Sequence, residues 1–264
     1  MNILVTNDDG ILAPGLWSLV SELQKTGHIT VAAPDREQSA QGTAVTLRHP
    51  LRVQKVKPLL SGVDTYAIEG TPSDSVILAL SKLIPGRIDL VVSGVNSGPN
   101  LGDDVLISGT VGAALQGYLR GATAIAVSVD SFDSLYLDNA ARLAALITGK
   151  IADNTLPGHL FLNVNLPDLP LINTGRIRIT RLASRSHIET VKEGHDGKKA
   201  YYWLIRQKID RDAVKDTDIH AIEQGDISIT PLHSELLNKP LPDISDNICI
   251  ELIASLKGYP ESPL

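Results

Sequence analysis

Ile3-Leu-Val-Thr-Asn-Asp-Asp-Gly10 joins a short apolar run to a polar turn, which predicts a buried strand that ends at its acidic residues. Apolar side chains then recur every three or four residues between Pro14 and Gly27, the spacing of an amphipathic helix. The next apolar run is Ile29-Thr-Val-Ala-Ala33, which a proline closes. Strand, helix and strand in this order predict the beginning of a parallel sheet.

The same alternation continues to about residue 169. Further helical patterns cover 75–84, 111–119 and 137–144, and apolar strand patterns cover 88–92, 124–129 and 160–165. This order predicts an α/β fold with a doubly wound, mostly parallel, Rossmann-like sheet that has helices on both faces. Extended segments between about 47 and 68, around a turn at Ser61-Gly62, predict an inserted hairpin.

The sequence changes character after residue 169. Polar and apolar residues alternate over 176–180, 201–209 and 226–230, as they do in half-exposed strands. We therefore predict two parts, a Rossmann-like α/β catalytic core over 1–169 and an antiparallel C-terminal extension over 170–264. The extension is interpreted as a small domain, a long arm or an oligomerisation element.

Composition excludes several classes of function. A net charge of −6 gives no overall electrostatic attraction for DNA or RNA as a polymer. No apolar run approaches the ~18 residues that a membrane span needs. The single cysteine, Cys249, makes no intrachain disulfide and no Cys-based zinc site, and we interpret it as a buried strand residue. With no signal-peptide pattern, these features lead us to expect a cytoplasmic protein.

Polar residues follow the predicted strands at their carboxyl ends, where open α/β sheets bind ligands. Asp8 and Asp9 are adjacent carboxylates, which repel each other unless a cation lies between them. Asn, Asp and Gly also form turns, so a metal site and a solvated turn both stay open at 7–10. Asp35-Arg-Glu-Gln-Ser39 follows the second strand and by itself indicates only a loop.

Two later segments have the composition of an anion or metal site. The polar stretch 93–102 contains Asn96 and Asn100, whose side-chain oxygens suit a hard metal, although a surface loop has the same composition. Ser108-Gly-Thr110 opens a predicted helix. A serine there caps the helix, and the exposed N–H groups beside it attract anions, so both roles are compatible.

Known motifs of other classes are absent from the sequence. We find no G-x-G-x-x-G, no P-loop, no G-x-S-x-G and no H-E-x-x-H. An oxygen-rich set of ligands favours Mg²⁺ or Mn²⁺ over Zn²⁺. A basic stretch contains Arg176, Arg178, Arg181 and Arg185. It is interpreted either as a solvated strand face or as a region that attracts an anionic substrate.

Taken in order, these segments resemble the SurE (survival protein E) family of nucleotidases and acid phosphatases. They include Asn7-Asp-Asp-Gly10, Ser93-Gly-Val-Asn96 and Ser108-Gly-Thr-Val-Gly112. The matching segments are 3–10 with 13–15, 33–39, 70–74, 89–102 with 108–114, 163–165, and 217–218 with 227–232. The resemblance therefore extends to about residue 232, and the tail after it is not recognisable.

The resemblance implies one divalent metal per subunit, Mg²⁺ or Mn²⁺, held by Asp8, Asp9, Ser39 and Asn96. It implies an enzyme that removes phosphate from nucleoside 5′- or 3′-monophosphates. Other small phosphoesters or short polyphosphate are further substrates that it suggests. It also implies homodimers or homotetramers that exchange C-terminal segments.

On this basis the site residues receive roles as a hypothesis. Catalytic roles go to Asp8, Asn96 and Ser108, and phosphate binding goes to Asn100, Ser108, Gly109 and Thr110. Asp8 is either the nucleophile or the base that activates water.

Three positions depart from the family pattern, and one other class of function stays open. Ala40 stands where glycine is usual, Ile107 where tyrosine is common and Ser75 where cysteine is common. The alternative function is a non-catalytic sensor of metal or nucleotide. Such a sensor binds both ligands but releases no phosphate, so turnover separates the two.

Overall fold

The structure, a computed structural model, describes residues 1–132, 135–156, 158–184, 187–208 and 214–232. Its strands are β1 (Asn2–Thr6), β2 (His28–Pro34), β3 (Val53–Lys55), β4 (Asp64–Ile68), β5 (Leu90–Ser97), β6 (Thr123–Val129), β7 (Phe161–Leu166), β8 (Ile177–Ile179), β9 (His187–His195), β10 (Ala200–Lys208) and β11 (Ile227–Leu232). Its α-helices are α1 (Pro14–Leu23), α2 (Pro72–Leu78), α3 (Gly109–Leu119), α4 (Leu137–Ala152) and α5 (Asp218–Glu223).

The described strands form a nine-stranded sheet in the order β3-β4-β2-β1-β5-β6-β7-β11-β8, and β9 pairs with β10 separately. Strands β4, β2, β1, β5, β6 and β7 run parallel, which confirms the predicted α/β class. The hairpin predicted between 47 and 68 is seen as β3 paired antiparallel to β4 at the edge of the sheet.

Strand β1 shows why this sheet is covered on both faces. Ile3 and Val5 point to one face, where they belong to a core cluster with side chains of α1 and α4. Leu4 points to the other face, in a cluster with side chains of α2 and α3. All three are fully buried, which explains why the strand reads as a continuous apolar run.

The structure corrects the predicted end of the central strand. We expected a strand over 88–92 and a polar loop from residue 93, but β5 continues to Ser97 after a shift of register between Ser93 and Asn96. Gly94 makes this bulge practicable, because its φ is +136° and an added Cβ would overlap the carbonyl oxygen of Val127. The bulge carries Asn96 to the carboxyl edge of the sheet.

Helix α2 also begins earlier than the pattern 75–84 indicated. Thr71 and Asp74 form a capping box, and Pro72 occupies the first turn, so the helix starts at Pro72. A π-helical turn, Ala79–Leu83, replaces its predicted second half. Asp74 also accepts a hydrogen bond of 2.9 Å from the Thr46 N–H, which ties the loop after β2 to this helix.

The region after residue 169 is joined more closely to the main sheet than we expected. β11 pairs antiparallel with β7, β8 pairs parallel with β11, and the antiparallel hairpin β9–β10 lies outside the main sheet. The boundary at 169/170 stays a prediction.

The basic stretch is partly engaged in this sheet. Arg178 forms an ion pair with Asp226, whose pKa is held below its usual value first by the Arg176 N–H and then by Arg178. Arg185, Cys249 and the tail after 232 lie outside the described residues. Within those residues, no helix is both long enough and apolar enough to span a membrane.

Candidate active site

Asp8 lies at the carboxyl end of β1 and is almost completely buried. The turn that follows is fixed by a hydrogen bond of 2.9 Å from Asn7 Nδ2 to the Gly10 carbonyl. The Asp8 carbonyl accepts a hydrogen bond of 2.8 Å from the Gln38 N–H, so the loops after β1 and β2 are held together. Of the two sequence interpretations of 7–10, the structure shows an ordered turn whose carboxylate Asp8 is desolvated.

Helix α3 begins directly against Asp8. The Thr110 hydroxyl donates a hydrogen bond of 2.5 Å to Asp8 Oδ1. A Cβ added to Gly109 would lie 2.8 Å from Asp8 Cβ and 2.9 Å from Asp8 Oδ2, so only glycine permits this approach. Ser108 caps the helix by accepting a hydrogen bond from the Val111 N–H at 3.0 Å, as predicted. The positive end of the helix therefore faces the Asp8 carboxylate.

The two adjacent carboxyl groups are held in an environment that disfavours their charged forms. Burial raises the pKa of Asp8, and the hydrogen bond from Thr110 opposes that rise. Burial, followed by the charge of Asp8, raises the pKa of Asp9 to about 7. No ion pair in the described part of the chain joins either carboxylate to a Lys, Arg or His.

Ser39 and Asn96 approach the same place from the ends of β2 and β5. The Asn96 amide nitrogen donates a hydrogen bond of 2.6 Å to the Gly98 carbonyl, which leaves its side-chain oxygen for another partner. Ser39 is exposed, and its hydroxyl donates a hydrogen bond of 2.7 Å to Glu37. The neighbouring Ala40 adopts φ +57°, a left-handed conformation that suits the glycine usual in the family.

A cavity of about 500 Å³ brings most of the predicted site residues together. Five of them line it, namely Asp8, Ser39, Asn96, Asn100 and Ser108. The other three, Asp9, Gly109 and Thr110, are not among its lining residues. Asp9 Oδ2 lies 3.4 Å from the N–H nitrogen of Ser97, a lining residue, while Gly109 and Thr110 contact Asp8.

Asn100 is anchored chiefly by Asn163 and Asn165. Their segment resembles one of the SurE family, but the sequence analysis assigned them no role in the site. Its N–H donates to Asn165 Oδ1 at 2.9 Å, and its carbonyl accepts from Asn163 and Asn165 at 2.8 and 3.1 Å. Its own amide nitrogen donates to the Ser128 hydroxyl at 2.8 Å. The cavity wall at Asn100 is therefore held by β6 and β7.

Other residues of the site were missed at the sequence level. Asp218, fully buried at the start of α5, accepts hydrogen bonds from the Gly102 and Ala183 N–H groups, both at 2.8 Å. The resemblance of Thr217-Asp218 to a segment of the SurE family was the signal in the sequence that could have indicated this residue. Asp218 itself is not among the residues that line the cavity, but Ile219 beside it is, as is Phe132, and no local pattern indicated these two.

The oxygen atoms around Asp8 fit a hard divalent cation. Burial destabilises the charged forms of two adjacent carboxylates, Asp8 and Asp9, and the side-chain oxygen of Asn7, which precedes them in the chain, is buried without a hydrogen-bond partner. A cation there would offset this cost, and carboxylate, amide and hydroxyl oxygens are the ligands that Mg²⁺ and Mn²⁺ prefer. Within the described residues no cluster of three or more His, Cys, Asp or Glu side chains is arranged for a metal, so Ser39 and Asn96 are needed to complete this set.

Comparison with known proteins identifies relatives of this chain along most of its length. The family model described as Survival protein SurE matches residues 3–189. The chain is 53% identical over 260 residues to the 5′-nucleotidase SurE of Dehalococcoides mccartyi, which covers 98% of each chain. It is 44% identical over 256 residues to the 5′-nucleotidase SurE of Legionella pneumophila, which covers 95% of this chain and 100% of that one.

A solved structure of a SurE protein also resembles this chain. The crystal structure of the SurE protein from Aquifex aeolicus matches with a TM-score of 0.76 at 32% identity, over 97% of this chain and 100% of that chain. The sequence motifs, the fold and these relatives agree along nearly the whole chain, which therefore belongs to the SurE family.

Proposed function

We propose that this chain is a divalent-metal-dependent phosphomonoesterase that releases phosphate from nucleoside 5′-monophosphates. We extend the proposal to 3′-monophosphates, other small phosphoesters and short polyphosphate. The observation that carries it is the contact of Asp8 with the N-terminus of α3 at the wall of a 500 Å³ cavity. The names of the relatives, 5′-nucleotidase SurE, support the nucleotide as the substrate.

The chain offers separate groups for the metal and for the phosphate. A bound Mg²⁺ or Mn²⁺, one per subunit, held by Asp8, Asp9, Ser39 and Asn96, would neutralise phosphate charge. Gly109 and Thr110 would contribute N–H groups from the first turn of α3, which have no acceptor within the helix, although the Thr110 N–H is also bonded to the Asp8 carboxylate. The Ser108 hydroxyl accepts from Val111 and keeps its own hydrogen for a phosphoryl oxygen.

Asp8 has two chemically distinct roles open to it in this site. As a base it would take a proton from water as the water oxygen attacks phosphorus and the P–O bond to the nucleoside breaks. As a nucleophile it would attack phosphorus itself and displace the nucleoside, leaving an aspartyl-phosphate that water then hydrolyses. In both routes the nucleoside oxygen takes up a proton and leaves as the hydroxyl. Rapid quenching with labelled substrate separates the two. Hydroxylamine-sensitive label on the protein indicates the covalent route, and its absence under burst conditions indicates direct attack by water.

The reaction is tested by measuring phosphate release after removal of metal with EDTA. p-Nitrophenyl phosphate and a panel of nucleoside monophosphates are supplied with Mg²⁺, with Mn²⁺ or with neither. We expect release only when metal is restored, with the panel ranking the substrates. A folded protein that binds Mn²⁺ and AMP but releases phosphate from nothing in the panel would instead be a sensor.

We also propose that the chain forms a homodimer or homotetramer through the β9–β10 hairpin and works in the cytoplasm. The hairpin exposes Val191, Tyr201, Tyr202, Trp203 and Leu204, a set of apolar side chains that a partner subunit would cover. The single cysteine in the sequence suits a reducing compartment. Light scattering after size exclusion tests the assembly: Trp203→Asp should lower the mass, and a wild-type monomer would contradict the proposal.

A further inference from the structure

The candidate cavity has a larger volume, and a lining of more varied chemistry, than a phosphate group requires. Its volume of about 500 Å³ falls in the range typical of sites for whole small molecules. Asp8, Ser39, Asn96 and Ser108 give it a polar region, where the phosphate is placed above. Among its other lining residues, Pro99, Leu101, Ile107, Phe132 and Ile219 have aliphatic or aromatic side chains, and they lie among further polar residues that include Asp104 and Asp130.

Phe132 is the aromatic residue of this lining, and it is positioned by the turn after β6. The Ser131 N–H donates a hydrogen bond of 2.8 Å to the Val129 carbonyl, and Val129 is paired with Ser97 of β5. A Cβ added to Gly98 would lie 2.6 Å from an edge carbon of the Phe132 ring, so the ring lies against the Gly98 backbone. Gly98 also accepts the hydrogen bond from the Asn96 amide nitrogen, so the segment that supports the ring also holds a predicted metal ligand.

The ring is held at one edge yet leaves most of its surface open. Phe132 is 86% exposed, although a large apolar side chain at the wall of a cavity gains free energy when something covers it. An aromatic ring presents a flat face on which another planar ring can stack. The aliphatic side chains of the same lining have no such π-face.

We propose that Phe132, supported by Gly98, is the stacking surface for the nucleobase of a nucleoside monophosphate whose phosphate lies at Asp8 and Ser108. This inference rests on the proposed function and adds the subsite for the part of the substrate that does not react. The ribose spans the distance between the polar and apolar regions of the cavity. Because every base has a π-face, stacking accepts all of them, and the subsite predicts modest discrimination among AMP, GMP, CMP and UMP.

The test compares AMP with ribose 5-phosphate, which carries a hydroxyl group in place of the base. Loss of base stacking typically weakens binding roughly 5- to 150-fold, so wild type should favour AMP in kcat/KM by a factor in that range. Phe132→Ala should remove most of this preference, mainly through KM for AMP. Phe132→Tyr should keep it, and Phe132→Leu, which is apolar without a π-face, should lose it. Adenosine as a competitive inhibitor gives an independent readout, with a Ki that rises in Phe132→Ala.

Leu135→Ala is the matched control, because Leu135 lies three residues away, is equally exposed and is not part of the cavity lining. It should leave the AMP to ribose 5-phosphate ratio within about twofold of wild type. The inference is overturned if Phe132→Ala lowers kcat/KM equally for AMP and ribose 5-phosphate. It is also overturned if neither the ratio of these two kcat/KM values nor the adenosine Ki changes. If wild type hydrolyses neither substrate with any metal, the proposed function itself fails, which is a different result from an unchanged ratio.

Discussion

At Gly109, the packing of the fold and the proposed chemistry depend on the same contact, the one with Asp8. It is the first residue of α3, and its missing side chain leaves room for the carboxylate of Asp8. The same close approach places Thr110 within hydrogen-bonding distance of Asp8. A single methyl group at this position therefore disturbs the carboxylate and the helix N-terminus together.

We predict that Gly109→Ala lowers kcat/KM for AMP by about 100-fold or more, because displacements of about 1 Å in an active site have effects of that size. The free energy of unfolding should fall by about 1–3 kcal/mol from overpacking. Gly149→Ala in α4 is the control, since an added Cβ there meets nothing within 4 Å. It should keep activity and gain about 0.5–1 kcal/mol in urea unfolding. Wild-type kinetics in Gly109→Ala would show that the contact is unimportant.

At the scale of elements, the cavity depends on neighbouring strands that bring side chains to one edge of the sheet. β7 contributes Asn163 and Asn165, whose amides bind the backbone of Asn100 as a neighbouring strand would. Asn165 makes two of these hydrogen bonds, whereas Asn163 makes one and has a buried side-chain oxygen with no partner. Both are fully buried asparagines of the same strand, but they differ in the number of hydrogen bonds that they make to Asn100.

This difference predicts unequal costs for the same truncation. Asn165→Ala leaves the Asn100 N–H buried without a partner and should lower the free energy of unfolding by about 2–3 kcal/mol. Asn163→Ala also removes an unpartnered oxygen and should cost about 1 kcal/mol. Urea unfolding of the two variants measures the difference, and kcat for AMP should fall more in Asn165→Ala. Equal costs, or a larger cost for Asn163→Ala, would contradict this account of the asparagine contacts.

At the scale of the whole molecule, the loops after β1, β2 and β5 converge on a site that carries unbalanced negative charge. Burial and mutual repulsion raise the pKa of Asp9 to about 7, and burial raises that of Asp8. The folded protein therefore holds these carboxylates at a cost that a bound cation would offset. Metal binding and folding are thus expected to be linked.

We predict that removal of metal destabilises the protein. Mn²⁺ at 100 times its dissociation constant should raise the free energy of unfolding by about 2.7 kcal/mol over the EDTA-treated protein. Asp8→Asn should lose most of this increment, whereas Asp64→Asn, at an exposed carboxyl group paired with Lys55, should keep it. Thermal unfolding with and without Mn²⁺ measures the increment. Identical midpoints for wild type in both conditions would argue against a metal site at Asp8.

How much of this site the sequence predicts depends on how local each feature is. Asp8 and Ser108 were found because strand ends and helix starts are visible in local patterns. Ser39 came only from the resemblance to the SurE family, because its own segment by itself indicates a loop. The extension of β5 to Ser97 was missed, because a bulge at Gly94 interrupts the apolar pattern while the pairing continues. Phe132 was missed because its place in the cavity follows from the packing of a distant turn, which a single sequence does not show.

The measurement that tests the central claim most directly is phosphate release from AMP by wild type, Asp8→Asn and Asp64→Asn, each EDTA-treated and then given Mn²⁺. We predict that Mn²⁺ restores release in wild type and in Asp64→Asn, with rates within about twofold of each other. Asp8→Asn should be folded, as shown by circular dichroism, and slower by about 10²–10⁴-fold. Near wild-type release from a folded Asp8→Asn would contradict the assignment of the reaction to the Asp8 site.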